Sequence, residues 1–424
     1  MISRSIALFQ FSKLTMRSYS LFTILSLCLA IFLVDFAAFY WLKSITDLLD
    51  SNILKYSIHI LFWFFTFGLI AAIIILKLKL DSITPKRKQL LISSLYGLTI
   101  SSFIPKIIFI IVISILFVTN YAITDKESLL IIPLLGLFAG FLPFFVIAYG
   151  VFKAIYNFKI HEHILSFSHL PEAFDGLKIV QISDLHLGSF NHRFHILDRA
   201  IVKINQLQPD LIFFTGDLVN NYAWELRGWK KSFRHLSAKK GMYAVLGNHD
   251  YGDYSVWESA EAKQKNFEGI TNFFKDNNFK LLLNDSEILE IDNQQLAIVG
   301  VENWGNPPFK QYGDLQTALF KAENTPFKIL LSHDPSHWSE EVLHETDIAL
   351  TLSGHTHGMQ AGVSFGKKEW SPIKYKYKHW AGLYQENGQY LYVNRGLGWM
   401  GFPGRLGMRP EITCITLQKS EKNY

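Results

Sequence analysis

Five short blocks in the second half of the chain carry the residues best suited to chemistry: Asp184-Leu185-His186, Gly216-Asp217, Gly247-Asn248-His249-Asp250, Ser332-His333-Asp334 and Gly354-His355-Thr356-His357-Gly358. Each follows an apolar run of strand length, and the carboxyl ends of buried strands in α/β sheets are where polar side chains converge on a ligand. Carboxylates, imidazoles and an amide oxygen together suit a transition-metal ion better than calcium or magnesium. Asn248 beside His249 sets an oxygen donor next to a group that can move a proton. Taken singly, each block has an ordinary reading, because Gly-Asn and Gly-Asp are common in turns and a lone histidine is more often simply hydrogen-bonded. Their succession is what points to a metal site, and a single sheet is expected to bring all five together.

The elements that must position these blocks follow from the apolar periodicity between Leu177 and Leu417. Strands are expected at Leu177 to Ile182, Leu211 to Thr215 and Met242 to Val245, then at Leu281 to Leu283, Ile288 to Ile291 and Leu296 to Val301. Further strands are expected at Lys328 to Ser332, Ile348 to Leu352, Tyr390 to Asn394 and Glu411 to Leu417. Helices are expected at Arg193 to Leu207, Trp224 to Leu236 and Ser255 to Asn277. This is a soluble α/β pattern of ample length for one large core.

The first 155 of the 424 residues read differently. Leu21 to Leu42, Tyr56 to Leu76 and Leu129 to Phe152 are each roughly 20 mostly apolar residues, enough to cross a hydrocarbon core. Phe103 to Thr119 is a shorter fourth span that begins with Pro105 and Lys106, so Lys106 is expected at the interface with its stem snorkelling toward headgroups. Leu90 to Ser102 then lies on the surface or extends that span. A cleaved signal peptide is rejected for the first span, since further spans follow and no small-residue cleavage pattern ends it. Arg4, Lys13, Arg17, Lys77, Lys79, Lys86, Arg87, Lys88, Lys106, Lys153 and Lys159 fall on one side, against Lys43, Lys55 and Lys126 on the other. That imbalance predicts that the second half faces the cytoplasm. Asp35 lies within the first span, where a carboxylate is a functional candidate by default. With no second acidic residue or histidine at comparable depth to form a relay, a hydrogen-bonded Asp35 inside the bundle is the preferred reading. Two cysteines, Cys28 and Cys414, give no disulfide framework.

At its five blocks the chain resembles the calcineurin-like metallophosphoesterase superfamily, whose pattern is Asp-x-His, Gly-Asp, Gly-Asn-His-Asp/Glu, His and Gly-His-x-His in that order. The resemblance runs from Leu177 to Leu417 and takes in Tyr392-Val393-Asn394-Arg395-Gly396-Leu397-Gly398, Arg405 and Pro410-Glu411-Ile412, a tail like that of bacterial membrane-anchored members. Met359 departs from it, standing where a second Gly is frequent. The resemblance implies two divalent transition metal ions (Mn, Fe, Zn or Co), the first held by Asp184, His186 and His357, the second by Asn248, His333 and His355, with Asp217 bridging. It leaves His249 free to protonate a leaving oxygen, with Asp250 or another carboxylate orienting it. Arg395 reads either as a clamp on a phosphate oxygen or as half of an internal salt bridge. Arg405 is a weaker candidate for such a contact.

Two basic, aromatic stretches remain: Trp224 to Arg234, with Trp229, Lys230, Lys231 and Arg234, and Phe365 to Tyr384, with Lys367, Lys368, Trp370, Lys374, Tyr375, Lys376, Tyr377, Lys378 and Trp380. A solvated surface is the plain reading, and lipid headgroups are preferred to nucleic acid as partners. The expected fold class is α/β: a four-helix transmembrane domain (1–155), a linker (156–176), and a two-sheet sandwich flanked by helices (177–424). The expected function is membrane-anchored two-metal hydrolysis of a phosphodiester, phosphomonoester or pyrophosphate, with a membrane lipid or nucleotide-linked lipid as substrate. The alternatives are a soluble nucleotide or phosphoprotein substrate, or a non-enzymatic membrane scaffold with a phosphoesterase-like domain.

Overall fold

The computed structural model describes residues 20–123, 131–307, 309–366 and 368–420. Arg4, Lys13, Arg17, Lys126, Lys367 and the start of the last expected span at Leu129 lie outside the described residues. Four long apolar helices come first: α1 (Leu21–Thr46), α2 (Asn52–Lys79), α3 (Pro85–Ile123) and α4 (Ile131–Phe152). All four are long and apolar enough to cross a membrane. Ser20 and Ser51 cap the first two by accepting from Thr23 N–H and Leu54 N–H, and Pro85 opens α3 at a position where its missing N–H costs nothing.

Helix α3 is 39 residues long, roughly 58 Å at 1.5 Å per residue, about twice the hydrocarbon thickness. Leu90 to Ser102 therefore belongs to the same continuous helix as the expected span Phe103 to Thr119. Lys106 corrects its expected place. Its ammonium lies 2.7 Å from Asp35 Oδ1 and over the ring of Phe62, while Asp35 also accepts a short hydrogen bond from the Thr66 hydroxyl. An ion pair inside the helix bundle, not an interfacial lysine, is what neutralises Asp35.

The second half begins with β1 (Lys159–Phe167), inside the stretch read as a linker. It pairs in parallel with the last strand, with Ile160 opposite Ile412 and Leu165 opposite Leu417. The chain continues through β2 (Lys178–Ile182), α5 (Phe194–Gln206), β3 (Leu211–Thr215), α6 (Lys230–Phe233), β4 (Gly241–Val245), α7 (Ala260–Asp276), β5 (Phe279–Leu281), β6 (Asp285–Ile291) and β7 (Gln294–Gly300). It closes through α8 (Leu315–Leu319), β8 (Lys328–Leu331), β9 (Leu350–Ser353), β10 (Val363–Phe365), β11 (Lys368–Trp370), β12 (Gly382–Glu386), β13 (Gln389–Val393) and β14 (Glu411–Lys419). The expected helix at Trp224 to Leu236 is replaced by two short turns on either side of Gly228, whose φ of 89° breaks the helical path.

Two six-stranded sheets face each other, one ordered β1-β14-β2-β3-β4-β5 and the other β12-β13-β9-β8-β7-β6. Alternate residues of each strand divide between two cores. In β3, Leu211 and Phe213 point between the sheets, toward Ile329, Leu331 and Leu352, while Ile212 and Phe214 face α5 and α7. At roughly 25 cal/mol per Å², burial on both faces is the main force holding the central strands in register. The single sheet expected to gather the five blocks is in fact a pair. Strands β2, β3 and β4 of one sheet and β8 and β9 of the other end at the same rim. Buried Gln181 stitches the two sheets beneath that rim, donating to Ser353 O (2.9 Å) across the gap and to Thr215 Oγ1 (2.9 Å) beside it.

Candidate metal centre

Each sheet delivers its side chains through tight loops. Asp184, His186, Asp217, His355 and His357 all have positive φ, between 46° and 74°, a region that non-glycine residues occupy only when the surroundings enforce it. The enforcement is visible in the backbone: Asp184 N–H donates to Gly216 O (2.9 Å), His186 N–H to Asp217 O (3.1 Å) and Gly354 N–H to His333 O (3.0 Å). Gly216, at φ 95°, has no alternative residue, since a Cβ there would lie 2.6 Å from both Gly247 N and His333 Nδ1. Asp250 completes the cradle by accepting from the N–H groups of Asp217, Leu218, Val219 and Gly247.

Two groups of donor atoms meet in this cradle. His186 Nε2 lies 3.0 Å from His357 Nε2, which is 3.3 Å from Asp184 Oδ1. His333 Nε2 lies 3.3 Å from His355 Nδ1, which is 2.9 Å from Asn248 Oδ1. Asp217 Oδ2 stands between the groups, 3.5 Å from His186 Nε2 and 3.2 Å from His333 Nε2. The donor atoms of Asp184, His186 and His357, and those of Asp184, Asp217 and His333, each lie within 4.8 Å of one another.

Neighbouring groups fix which atoms point inward. His333 Nδ1 must donate to the Thr215 carbonyl (2.7 Å), which turns Nε2 toward the cluster. Asn248 Nδ2 donates to Tyr254 Oη (2.7 Å), so the amide oxygen faces inward. His355 Nε2 meets Tyr377 Oη at 2.8 Å, leaving Nδ1 for the cluster. Burial holds His186 down to about 3 and His355 to about 4, so both rings are neutral and present lone pairs. Burial pushes Asp184 up to about 7. Burial also opposes a charge on His333, but the Asp217 carboxylate prevails and raises it to about 10. Two imidazole nitrogens 3.0 Å apart can share only one proton, so the neutral rings and the oxygens turn lone pairs toward common points, while the proton that Asp217 holds on His333 is one a cation would displace. That donor set fits divalent transition-metal ions.

Two expected contacts come out differently, those of Asp250 and Arg405, and the open alternative at Arg395 is decided. Asp250 does not reach His249; its carboxylate is spent on four backbone N–H groups, and His249 Nδ1 is held instead by the Asn220 carbonyl at 2.8 Å. Arg395 is buried and forms short ion pairs with Glu411 and Glu369, so the internal salt bridge is the alternative realised and no free clamp is present. Arg405 caps the carbonyls of Arg395, Gly396 and Gly398, with Nη2 3.5 Å from His357 Nδ1. Tyr254, Tyr377 and the Asn220 carbonyl went unforeseen, since a tyrosine outside any block and a backbone oxygen leave no mark in spacing.

The sequence profile described as calcineurin-like phosphoesterase matches residues 177–359. A second, described as the probable transmembrane domain of calcineurin-like phosphoesterases, matches residues 16–155. The Bacillus subtilis protein named uncharacterized metallophosphoesterase YkuE is 34% identical over 267 residues, which cover 61% of this chain and 85% of that protein. The chain belongs to the calcineurin-like phosphoesterase family. An uncharacterized metallophosphoesterase of Helicobacter pylori (strain 26695) is 27% identical over 400 residues, 92% of this chain and 96% of that one, so that similarity runs through the membrane half as well. The bovine transmembrane protein with metallophosphoesterase domain is 32% identical over 255 residues, but the match spans only 59% of this chain and 54% of the bovine protein. This calcineurin-like phosphoesterase is thus a multi-pass, membrane-associated, metal-dependent phosphoric ester hydrolase, and the non-enzymatic scaffold is set aside.

Proposed function

We propose that this phosphoesterase hydrolyses a phosphate ester or pyrophosphate of a membrane lipid, or of a nucleotide-linked lipid, at the cytoplasmic face. The observation that carries the chemistry is the position of Asp217 Oδ2 between the two donor groups. Asp184, His186 and His357 would hold one divalent ion and Asn248, His333 and His355 the other, with Asp217 placed to serve both. Such ions supply Lewis-acid neutralisation of phosphoryl charge and acidify water. The chain itself supplies the proton. His249 Nδ1 donates to the Asn220 carbonyl (2.8 Å), which fixes the ring and makes Nε2 the nitrogen through which it exchanges a proton with the leaving oxygen. Asp250 acts through the Gly216-Asp217 loop and positions the bridge.

The catalytic domain sits at the end of the bundle where α2 gives way to α3 and where α4 ends; Lys86 Nζ lies 3.1 Å from His192 Nε2. Lys77, Lys79, Arg87 and Lys88 share that end, which supports a cytoplasmic orientation. Metal-reconstituted full-length enzyme assayed on bis-p-nitrophenyl phosphate, then on phospholipids, nucleotide-linked lipids and soluble nucleotides, tests the reading. Turnover confined to the soluble nucleotides would refute the lipid substrate. A reporter fused at Tyr424 that is active only on the periplasmic side would refute the orientation.

A further inference from the structure

Scattered exposed apolar side chains are ordinary on a protein surface, but four beside the metal centre are joined into one strip. Met359, Val363, Trp370 and Met400 are 53, 44, 40 and 37% exposed. Met359 lies two residues beyond His357. Gln360 and Gly362 pair with the next loop, Leu406 N–H donating to Gln360 O (2.7 Å) and Gly362 N–H to Leu406 O (2.8 Å). Met400 N–H donates to Gln360 Oε1 (2.6 Å), and Val363 faces Trp370 across the β10–β11 hairpin.

The same loop rests on the membrane helices. Arg405 N–H donates to Gly150 O (3.1 Å) in the last turn of α4, and Ser93 of α3 donates to Gly401 O (2.9 Å). The approach is close enough that a Cβ on Gly97 would meet Pro403 Cγ at 2.9 Å. Because α4 is a span that ends at Phe152, its Gly150 stands where the chain leaves the hydrocarbon. The strip bound to that turn is therefore at headgroup level. Exposed Lys368 shares β11 with Trp370, and exposed Lys374, Tyr375, Lys376 and Lys378 follow within the next ten residues, a mixture of lysine and aromatic rings that suits a membrane interface.

We infer that Met359, Val363, Trp370 and Met400 form a lip that enters the leaflet beneath the catalytic domain and brings a lipid phosphate to the metal centre without its leaving the bilayer. The occupant of this surface is the bilayer to which the four spans already commit the chain. The delivery step, though not the lip's contact with the membrane, rests on the lipid-phosphoesterase reading above.

The test uses full-length, manganese-loaded protein in phosphatidylethanolamine and phosphatidylglycerol vesicles. An environment-sensitive fluorophore is attached at Val363→Cys or, as a control at the edge of the second sheet, at Phe320→Cys; Cys28 and Cys414 are both buried. The label at 363 is expected to be shielded from iodide and quenched by a lipid-borne quencher, and the label at 320 to behave oppositely. Equal iodide access at both positions overturns the lip. The pair Trp370→Glu and Met400→Glu is expected to slow turnover of a vesicle-borne lipid phosphate by about tenfold while sparing bis-p-nitrophenyl phosphate. Equal losses on both substrates, or none on either, overturn delivery. A shielded 363 label in unaltered enzyme that hydrolyses only the soluble diester supports the lip and refutes the lipid substrate instead.

Discussion

Two buried polar clusters invite comparison. In the membrane bundle, Asp35, Lys106 and Thr66 offer one carboxylate, one ammonium and one hydroxyl, and each satisfies another. In the catalytic domain, two carboxylates, the neutral rings of His186, His355 and His357 and an amide oxygen turn acceptors toward one another around His333. The first cluster is closed and nearly neutral; the second is open and calls for cations. Buried charge alone therefore does not mark a reactive site. What separates the two is whether the groups inside can pair among themselves. The Arg395, Glu411 and Glu369 network, also buried, belongs with the closed kind.

The sharpest way to break this contrast is to remove the charge that both donor groups share. Asp217→Asn is expected to abolish turnover and lower bound metal, measured by elemental analysis beside a diester assay. Normal metal content with retained turnover would take Asp217 out of the bridge. His249→Ala is expected to retain metal but slow turnover by roughly 100-fold, with a smaller loss for substrates that have good leaving groups. A uniform loss would make His249 a positioning residue, and loss of metal would make it a ligand.

The closed clusters should answer in stability. Asp35→Asn strands Lys106 in the bundle and is expected to cost about 3 kcal/mol in a detergent unfolding assay, most of it recovered by adding Lys106→Met. Wild-type stability with lost turnover would move this cluster into the functional class. Smallest is the acid limb. Burial opposes the charge on Glu411, yet Arg395 and His161 hold its carboxyl down to about 2 in the folded chain, against 4.5 ordinarily. A depressed carboxylate contributes stability above its unfolded pKa and loses it as pH falls from about 4.5 toward 2. Glu411→Gln should flatten that limb by up to roughly 3 kcal/mol, and an unchanged limb would show that other carboxylates govern it.

The five polar blocks that meet at the candidate metal centre were legible because side-chain type and strand ends are both local signals. Partnerships across long separations were not. Pro105-Lys106 reads as the start of a span because an isolated charge is costly in lipid, and nothing local announces a carboxylate 71 residues earlier. Lys159 to Phe167 looks like a polar linker because half of it faces outward, and its partner strand begins only at Glu411. Asp250 resembles the orienting carboxylate of a catalytic histidine, but four unpaired N–H groups compete for it more effectively. That one rim would serve two sheets was equally hidden, since apolar runs do not declare which neighbour they pair with.

The Asp35 and Lys106 pair also has a history in time. Ribosomes extend a chain at about 5 to 20 residues per second, so the 71 residues between these partners take roughly 4 to 14 s to make. Thr66, only 31 residues after Asp35, emerges first and offers a hydroxyl while the ammonium is still unmade. The early spans are therefore expected to wait at the insertion machinery for the later one that carries Lys106. Nascent chains stalled after α2 should leave α1 open to extraction and proteolysis, whereas chains stalled after α3 should not. Equal protection at both stages would mean that Thr66 alone suffices.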